Sequence, residues 1–329
     1  MLPLTDPLWK KLDDAHRDRD IPTLLSALAK AWDDEAANSL FWDCLCHQET
    51  CYGATYAVIP HLLKIAEPKE NLHQRLEIAC FLGFVALCAR KAQDGSEIDV
   101  GSLQGLPETV EGWDAKLDSF RSLARSFAGP GPSYYERTEL LPRYRTILAI
   151  GPVDADDLEK IDSIRADFFS GLPAIRALCE RALLENLEDH DTIPYLLSGI
   201  AAADGLSDVA RLLTFGSSGW FRCSSCGWRY EFLRFGDRVA VYADEVWPPT
   251  TPVHNTSRAF LDYREQAPSR FDGFMVPVGD RDVTDERAAA LLCLADRAPN
   301  KEAGVLLRHF LGSSACCKCG AQRPIRSGP

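Results

Sequence analysis

The chain has 329 residues, of which 46% are hydrophobic and 26% are charged. These fractions are those of an ordinary soluble protein and exclude the disordered class, and the length predicts about two domains or one extended array. The formal net charge is −12, from 48 Asp and Glu against 36 Lys and Arg, and such a field repels phosphate backbones and anionic membrane surfaces, so nucleic acid is an unfavoured partner.

The N-terminus, the longest apolar stretch and the cysteine content together predict a cytoplasmic protein. The first six residues contain no basic region followed by an apolar one, so no signal peptide is predicted. The longest uncharged apolar stretch, residues 78–89, is shorter than the roughly 18 to 20 residues that span a bilayer. Twelve cysteines in such a chain favour thiols and metal ligands over disulfides, because the cytosol keeps cysteine pairs reduced.

The first two-thirds of the chain, up to about residue 215, is predicted to be helical. Residues 21–31 place their apolar side chains at three- and four-residue spacing, which is the pattern of an amphipathic helix. Residues 72–89 are apolar on nearly every side, which predicts an inner helix. Similar patterns predict further helices over residues 35–46, 54–66, 109–127, 137–150, 158–169 and 172–187, with an exposed loop at 129–132.

A short sequence that occurs twice in the chain favours a repeat architecture. The sequence Ile-Pro-His-Leu-Leu at residues 59–63 returns as Ile-Pro-Tyr-Leu-Leu at residues 193–197. Proline is tolerated in the first turn of a helix, where its missing N–H would have no partner. Pro60 and Pro194 are therefore predicted to mark equivalent helix starts.

The character of the sequence changes at residue 216. Aromatic and β-branched residues at 230–235 and 239–242 flank Gly236-Asp237, which predicts a β-hairpin with a tight turn. Helices return at residue 284, where Thr284, Asp285 and Glu286 suit a helix start, and again after Pro299-Asn300. Residues 253–283 carry no assignment.

Two Cys-x-x-Cys pairs are the sharpest chemical signal. Cys223 and Cys226 precede a glycine, and Cys316 and Cys319 do the same. Such a turn points two thiolates at one ion at about 2.3 Å, and the glycine frees the backbone there. Cys317 would leave a Cys-x-Cys spacing, so Cys316 is the predicted ligand. Four protein ligands close the coordination sphere, which predicts a structural Zn²⁺ rather than a catalytic one; two disulfides or buried free thiols are the alternatives.

A second cluster, residues 42–52, is dense in reactive residue types. It contains Cys44, Cys46, His47, Gln48, Cys51 and Tyr52. A Cys–His nucleophile or a second metal site requires these groups to converge in space. Packing and an inter-helix loop are the default interpretation, with His47, Gln48 and Tyr52 as the candidate partner contacts because polar and aromatic groups on loops suit recognition.

The stretch from His47 to Leu63, HQETCYGATYAVIPHLL, resembles bacterial HEAT-repeat proteins. The resemblance continues into the helical pair before Cys316 and into the Cys316–Cys319 knuckle, which is similar to the zinc-ribbon-like end of some members. It covers about half of the chain. It implies an α-solenoid without catalytic residues, and for some members an immunity role against bacterial toxins.

Together these observations predict a mainly α protein with two parts. Residues 1–215 form HEAT-like helical pairs, and residues 216–329 form a zinc-ribbon-like module from 216–252 and 312–329 with a helical hairpin, 284–311, between its halves. The predicted function is non-enzymatic protein binding, which includes neutralisation of a basic toxin by an acidic surface. A zinc-ribbon nucleic-acid-binding protein and an enzyme at the 44–52 cluster are the alternatives.

Overall fold

The computed structural model describes residues 1–12, 14, 19–47, 50–67, 71–89, 106–185, 192–215, 220–222, 225–226, 229–235, 238–243, 271–279, 282–299, 301–316 and 319–324. Over these ranges the protein is mainly helical, as predicted, and its strands are short and antiparallel. The chain divides into two compact units, Met1–Phe81 with Ile98–Ala174, and Leu82–Glu97 with Ile175–Pro329. The predicted boundary at residue 215 lies inside the second unit.

The described α-helices, in chain order, are α1 (Ile21–Lys30), α2 (Asp34–Asn38), α3 (Gly53–Ala66), α4 (Leu72–Ala89), α5 (Val110–Ala128), α6 (Leu141–Ile150), α7 (Ala155–Glu185), α8 (Ile193–Ala203), α9 (Ser207–Phe215), α10 (Glu286–Arg297) and α11 (Glu302–Leu311). A 3₁₀ turn covers Pro7–Lys10, and π-helical segments cover Ser39–Leu45 and Glu136–Leu140.

The described strands pair in three small sheets. A two-stranded hairpin joins β1 (Cys46–His47) to β2 (Thr50–Cys51). A four-stranded sheet has the order β3 (Trp220–Arg222), β4 (Arg229–Phe235), β5 (Arg238–Ala243) and β6 (Phe271–Phe274). The last hairpin pairs β7 (Ser313–Ala315) with β8 (Gln322–Pro324). The β4–β5 pair confirms the hairpin predicted around Gly236-Asp237.

The bounds and the buried face of helix α1 follow from its local sequence. Asp20 caps α1 by accepting a hydrogen bond from the Thr23 N–H at 3.3 Å, and Pro22 occupies the first turn, where no donor is needed. The apolar face of α1 buries Leu25 and Leu28. This helix confirms the amphipathic pattern predicted for residues 21–31.

Aromatic side chains form the centre of the first unit. The rings of Phe41 and Phe81 stack at 4.4 Å, and Trp42 meets Phe81 edge-on at 5.6 Å. Tyr56 packs edge-on against Phe168 at 5.3 Å. Offset-stacked and edge-on pairs add about 0.5–1.5 kcal/mol beyond the area they bury, so these contacts hold the Ser39–Leu45 segment against α4 and hold α3 against α7.

The helix start predicted at Pro60 is wrong. Pro60 lies inside α3, which begins seven residues earlier at Gly53. The start is set by Thr55, whose backbone N–H donates to the Tyr52 carbonyl at 3.0 Å and whose hydroxyl accepts from the Tyr52 N–H at 3.0 Å. Pro194, by contrast, does lie in the first turn of α8. The two prolines are therefore not equivalent.

The two helices predicted over residues 158–169 and 172–187 are a single helix, α7. Ser170-Gly171 and Pro173 interrupt the pattern, and a proline inside a helix removes one backbone hydrogen bond. Phe168 and Ile175 are nevertheless buried on either side of the interruption. Packing of these side chains outweighs the local preference to break.

In the second unit, α8, α9, α10 and α11 pack together, and α11 also contacts β5. Helix α10 begins at Glu286, within the predicted start at residues 284–286, and Asp285 caps it: the Asp285 carboxylate accepts hydrogen bonds from the N–H groups of Arg287 at 2.8 Å and Ala288 at 3.2 Å. Gly83 of α4 and Gly199 of α8 lie at the closest approach of their helices. Only glycine, which has a hydrogen atom in place of a side chain, permits the two helices to approach so closely.

Helix α4 has the bounds predicted from sequence. Within the described residues it is the one helix long and apolar enough to cross a membrane by length and composition, and 67% of that 18-residue window is buried inside the protein. A buried core helix passes the same test, and this burial agrees with the inner helix that the pattern predicted.

Candidate metal centre

Three of the four predicted zinc ligands come together in the second unit. The sulfur atoms of Cys226, Cys316 and Cys319 all lie within 4.8 Å of one another. Cys316 is buried, whereas Cys226 and Cys319 are exposed. Cys223 and Cys317 lie outside the described residues, as do the side chains of most of the flanking strand residues.

Local backbone geometry explains how Cys316 and Cys319 converge. They lie at the tip of the β7–β8 hairpin, where the Gly320 N–H donates to the Cys316 carbonyl at 2.7 Å and the Cys316 N–H donates to the Ala321 carbonyl at 3.0 Å. Gly320 has φ +67°, a left-handed conformation that a residue with a side chain adopts at a cost. The glycine after the second cysteine therefore has the role that the sequence predicted.

A second chain segment holds the base of this hairpin. Val276 pairs with Ser313, each N–H donating to the other carbonyl at 2.9 and 3.1 Å, and the Val278 N–H donates to the Arg308 carbonyl at 2.9 Å. A Cβ atom on Gly312 would overlap the Val276 carbonyl oxygen. The hairpin is thus anchored to residues outside it before any ion is considered.

The distance between two of these sulfur atoms shows that no disulfide joins them and is compatible with metal binding. Cys226 Sγ and Cys316 Sγ are 3.7 Å apart, far beyond the roughly 2.05 Å of a disulfide bond. Two thiolates on a tetrahedral ion with metal–sulfur bonds of about 2.3 Å would be about 3.8 Å apart. The arrangement is therefore that of a thiolate set that could hold a metal ion, and thiolates suit soft or borderline ions.

The 42–52 cluster has a different character. Cys44, Cys46 and Cys51 are all buried, so none of them lies in a solvent-accessible pocket in the closed structure, as a catalytic nucleophile acting on a bound substrate would require. Tyr52 is half-buried. The His47 side chain and all of Gln48 lie outside the described residues, so their role as partner contacts stays a prediction.

The first unit contains a cleft of about 440 Å³ that no sequence motif predicted. Its lining includes Leu25, Lys30, Trp32, His61 and Lys64. Burial lowers the pKa of His61, whose Nε2 lies 2.9 Å from the Leu2 carbonyl oxygen. That contact gives the His61 ring a structural partner. Lys30 and Lys64 lie in the last turns of α1 and α3, where a positive charge interacts favourably with the helix C-terminus.

The chain matches no family model, no curated protein and no solved structure.

Proposed function

We propose that this protein is a non-enzymatic binding protein whose C-terminal segment is stabilised by a structural zinc ion. The observation that carries the proposal is the convergence of the Cys226, Cys316 and Cys319 sulfur atoms from residues about ninety positions apart. Cys223, at Cys-x-x-Cys spacing from Cys226, supplies the fourth thiolate. A closed Cys₄ sphere leaves no position for substrate.

The zinc ion would connect the turn after β3 to the tip of the β7–β8 hairpin. These two segments are far apart in sequence, and an ion held by both would stabilise their pairing relative to the unfolded chain. In this proposal residues 216–252 and 312–329 form the zinc-ribbon-like module. The HEAT-like helical array and its binding role belong to the same proposal.

Metal analysis tests the zinc site. Protein purified without added zinc or chelators should contain about one tightly bound zinc ion per chain. Cys319→Ser removes an exposed ligand without leaving a core cavity, so it should lower zinc content several-fold while the helices remain folded. Cys293→Ser changes another exposed cysteine of the same unit, on α10, and serves as the matched control.

Two outcomes contradict the zinc proposal. One is native protein that holds no tightly bound zinc after dialysis. The other is equal zinc content in Cys319→Ser and in the control. Circular dichroism of each variant separates a lost ligand from a lost fold.

Protein binding is supported by an exposed aromatic pair in the first unit. Tyr134 and Tyr135 are 79% and 61% exposed beside the predicted loop at 129–132, and tyrosine is enriched at protein interfaces. The net charge of −12 favours a basic protein, such as a cationic toxin, over a nucleic acid. The alternative, a nucleic-acid-binding zinc protein, requires salt-sensitive DNA or RNA binding, and recovery of the bound partner decides between them.

A further inference from the structure

Cys46 and Cys51 form a second pair of thiols, outside the metal centre, in the β1–β2 hairpin of the first unit. They are directly opposite each other in the antiparallel pair, and their sulfur atoms are 3.7 Å apart. Opposed residues of such a pair have Cα atoms about 4.5 to 5.5 Å apart. Disulfides form across Cα separations of about 4.4 to 6.8 Å, so the backbone already has a permitted geometry.

One side chain holds both ends of this hairpin. The Thr55 hydroxyl donates to the Leu45 carbonyl, the residue before Cys46, and accepts from the Tyr52 N–H, the residue after Cys51. Thr55 is itself fully buried at the start of α3. The separation of the two cysteines is therefore set by a bridge that does not depend on the sulfur atoms.

The hairpin is also short enough to open. It consists of two residue pairs, Cys46 with Cys51 and His47 with Thr50, and an isolated two-stranded hairpin is only marginally stable. Both cysteines are 2% exposed in the closed form. Local opening of a small element costs far less than global unfolding, so a small oxidant can reach the thiols during such openings.

We propose that Cys46 and Cys51 are a reversible dithiol–disulfide site that reacts with a peroxide. One thiolate attacks an oxygen of hydrogen peroxide and breaks the O–O bond, becoming a sulfenic acid and releasing hydroxide, which takes up the proton that the thiol lost and becomes water. The second thiol then attacks that sulfur and displaces the sulfenic hydroxyl, which leaves with the thiol proton as a second water. The sulfur pair loses two electrons, which reduce one peroxide to two waters. A dithiol reductant reverses the step by thiol–disulfide exchange.

The consequence of oxidation is confined to the loop that the pair encloses. A Cys46–Cys51 bond would link both ends of residues 47–50, which include the predicted contacts His47 and Gln48. Closing so short a segment restricts its conformations. Oxidation would thus join β1 to β2 covalently without requiring any change in the metal centre.

The experiment maps the bond in folded protein. Trypsin cuts after Lys64, and glutamyl endopeptidase cuts after Glu35 and after Glu49, the latter between the two cysteines. After treatment of the native protein with hydrogen peroxide and blocking of remaining thiols, fragments 36–49 and 50–64 should be recovered joined. Treatment with a dithiol reductant should separate them.

Matched variants identify the partner sulfur. Fragment 36–49 also contains Cys44, so Cys44→Ala should still yield joined fragments, and Cys46→Ala should not. Thr55→Val should reduce the rate of joining about threefold or more, because it releases the bridge that positions the pair. Thr55→Ser keeps the hydroxyl and should restore the rate.

Three results would overturn the proposal. They are fragments that stay separate after oxidation of the wild-type protein, joining that persists in Cys46→Ala, and thiols that become reactive only after a chelator removes a metal. The wild-type result needs no variant to fold, and far-ultraviolet circular dichroism verifies the fold of each variant that is compared.

Discussion

At the scale of single residues, Asp154 ties the start of α7 to its first turn. Its carboxylate accepts a hydrogen bond from the Asp157 N–H at 2.9 Å, while the Asp157 carboxylate accepts from the Asp154 N–H at 3.2 Å. This reciprocal pair is a capping box in which aspartate replaces the usual glutamate. The hydrogen bond from the Asp157 N–H lowers the pKa of Asp154 below its ordinary value of 3.8.

The lowered pKa predicts a pH-dependent contribution to stability. A carboxyl group with a lowered folded-state pKa stabilises the protein above its unfolded-state pKa, and this contribution is lost as the pH falls through the folded-state pKa. Asp154→Ala should therefore lower the thermal midpoint by a few degrees at pH 7. The difference from wild type should shrink as the pH falls below about 3.8.

Asp154→Asn provides the control for this cap. Its amide oxygen can still accept the Asp157 N–H but does not titrate, so the loss at pH 7 should be smaller than for Asp154→Ala, and the difference between the two variants should not vary with pH. Thermal unfolding of the three proteins from pH 7 to pH 3 measures both effects. A constant difference between wild type and Asp154→Ala over that range would contradict the assignment.

At the scale of elements, the contact between α4 and α8 depends on two glycines. A Cβ atom on Gly199 would lie 2.6 Å from the Gly83 Cα and 2.9 Å from the Cys179 sulfur. Burial raises the pKa of the Cys179 thiol to about 12, so this sulfur is a neutral packing group. Backbone atoms on one side and a buried side chain on the other leave no room for a methyl group.

Gly199→Ala should therefore destabilise the second unit by about 1–3 kcal/mol, the range for overpacked cores. Gly171→Ala is the matched control, since Gly171 is also inside a helix but has nothing within 4 Å of the added atom. That change should be neutral or stabilise by about 0.5–1 kcal/mol through the entropy of the unfolded chain. Urea unfolding of both variants measures the contrast, and equal effects would refute the steric argument.

The elements also mark the limit of what the sequence predicts. Helical periodicity located α1, α4 and α10, because burial of one face or of all faces leaves a regular apolar pattern. Periodicity also located α3, predicted over residues 54–66, whereas the helix start predicted at Pro60 and the break predicted between residues 169 and 172 are wrong. At both places a local breaker signals a boundary, but side chains packed from distant parts of the chain keep the helix continuous.

The candidate metal centre was more predictable than the thiol pair. Cys-x-x-Cys followed by glycine is a local pattern, and Gly320 has the left-handed backbone that this pattern implies. The alignment of Cys46 with Cys51 depends on the hairpin register and on the Thr55 bridge. Neither the register nor the bridge corresponds to a recognisable residue spacing in the sequence, so the pairing of Cys46 with Cys51 could not be predicted from it.

At the scale of the whole molecule, charge and exposed aromatics define the proposed partner. The net charge of −12 attracts a basic surface, and this attraction weakens as salt screens charges beyond a Debye length of about 10 Å at 0.1 M. Tyrosines at an interface contribute mainly through contact area, which salt affects little. A protein partner should therefore associate more slowly in high salt but retain part of its affinity.

Recovery of the endogenous partner from the native host tests this expectation. We expect a basic protein to co-purify with the wild-type chain, and the double change Tyr134→Ala with Tyr135→Ala to weaken its binding about tenfold or more. Tyr195→Ala is the matched control, since Tyr195 is a 40% exposed tyrosine of the other unit. Titration with the purified partner at low and high salt separates the two contributions, because the tyrosine change should matter equally at both. Recovery of RNA or DNA alone, with binding that disappears as salt rises, would replace protein binding with the nucleic-acid alternative.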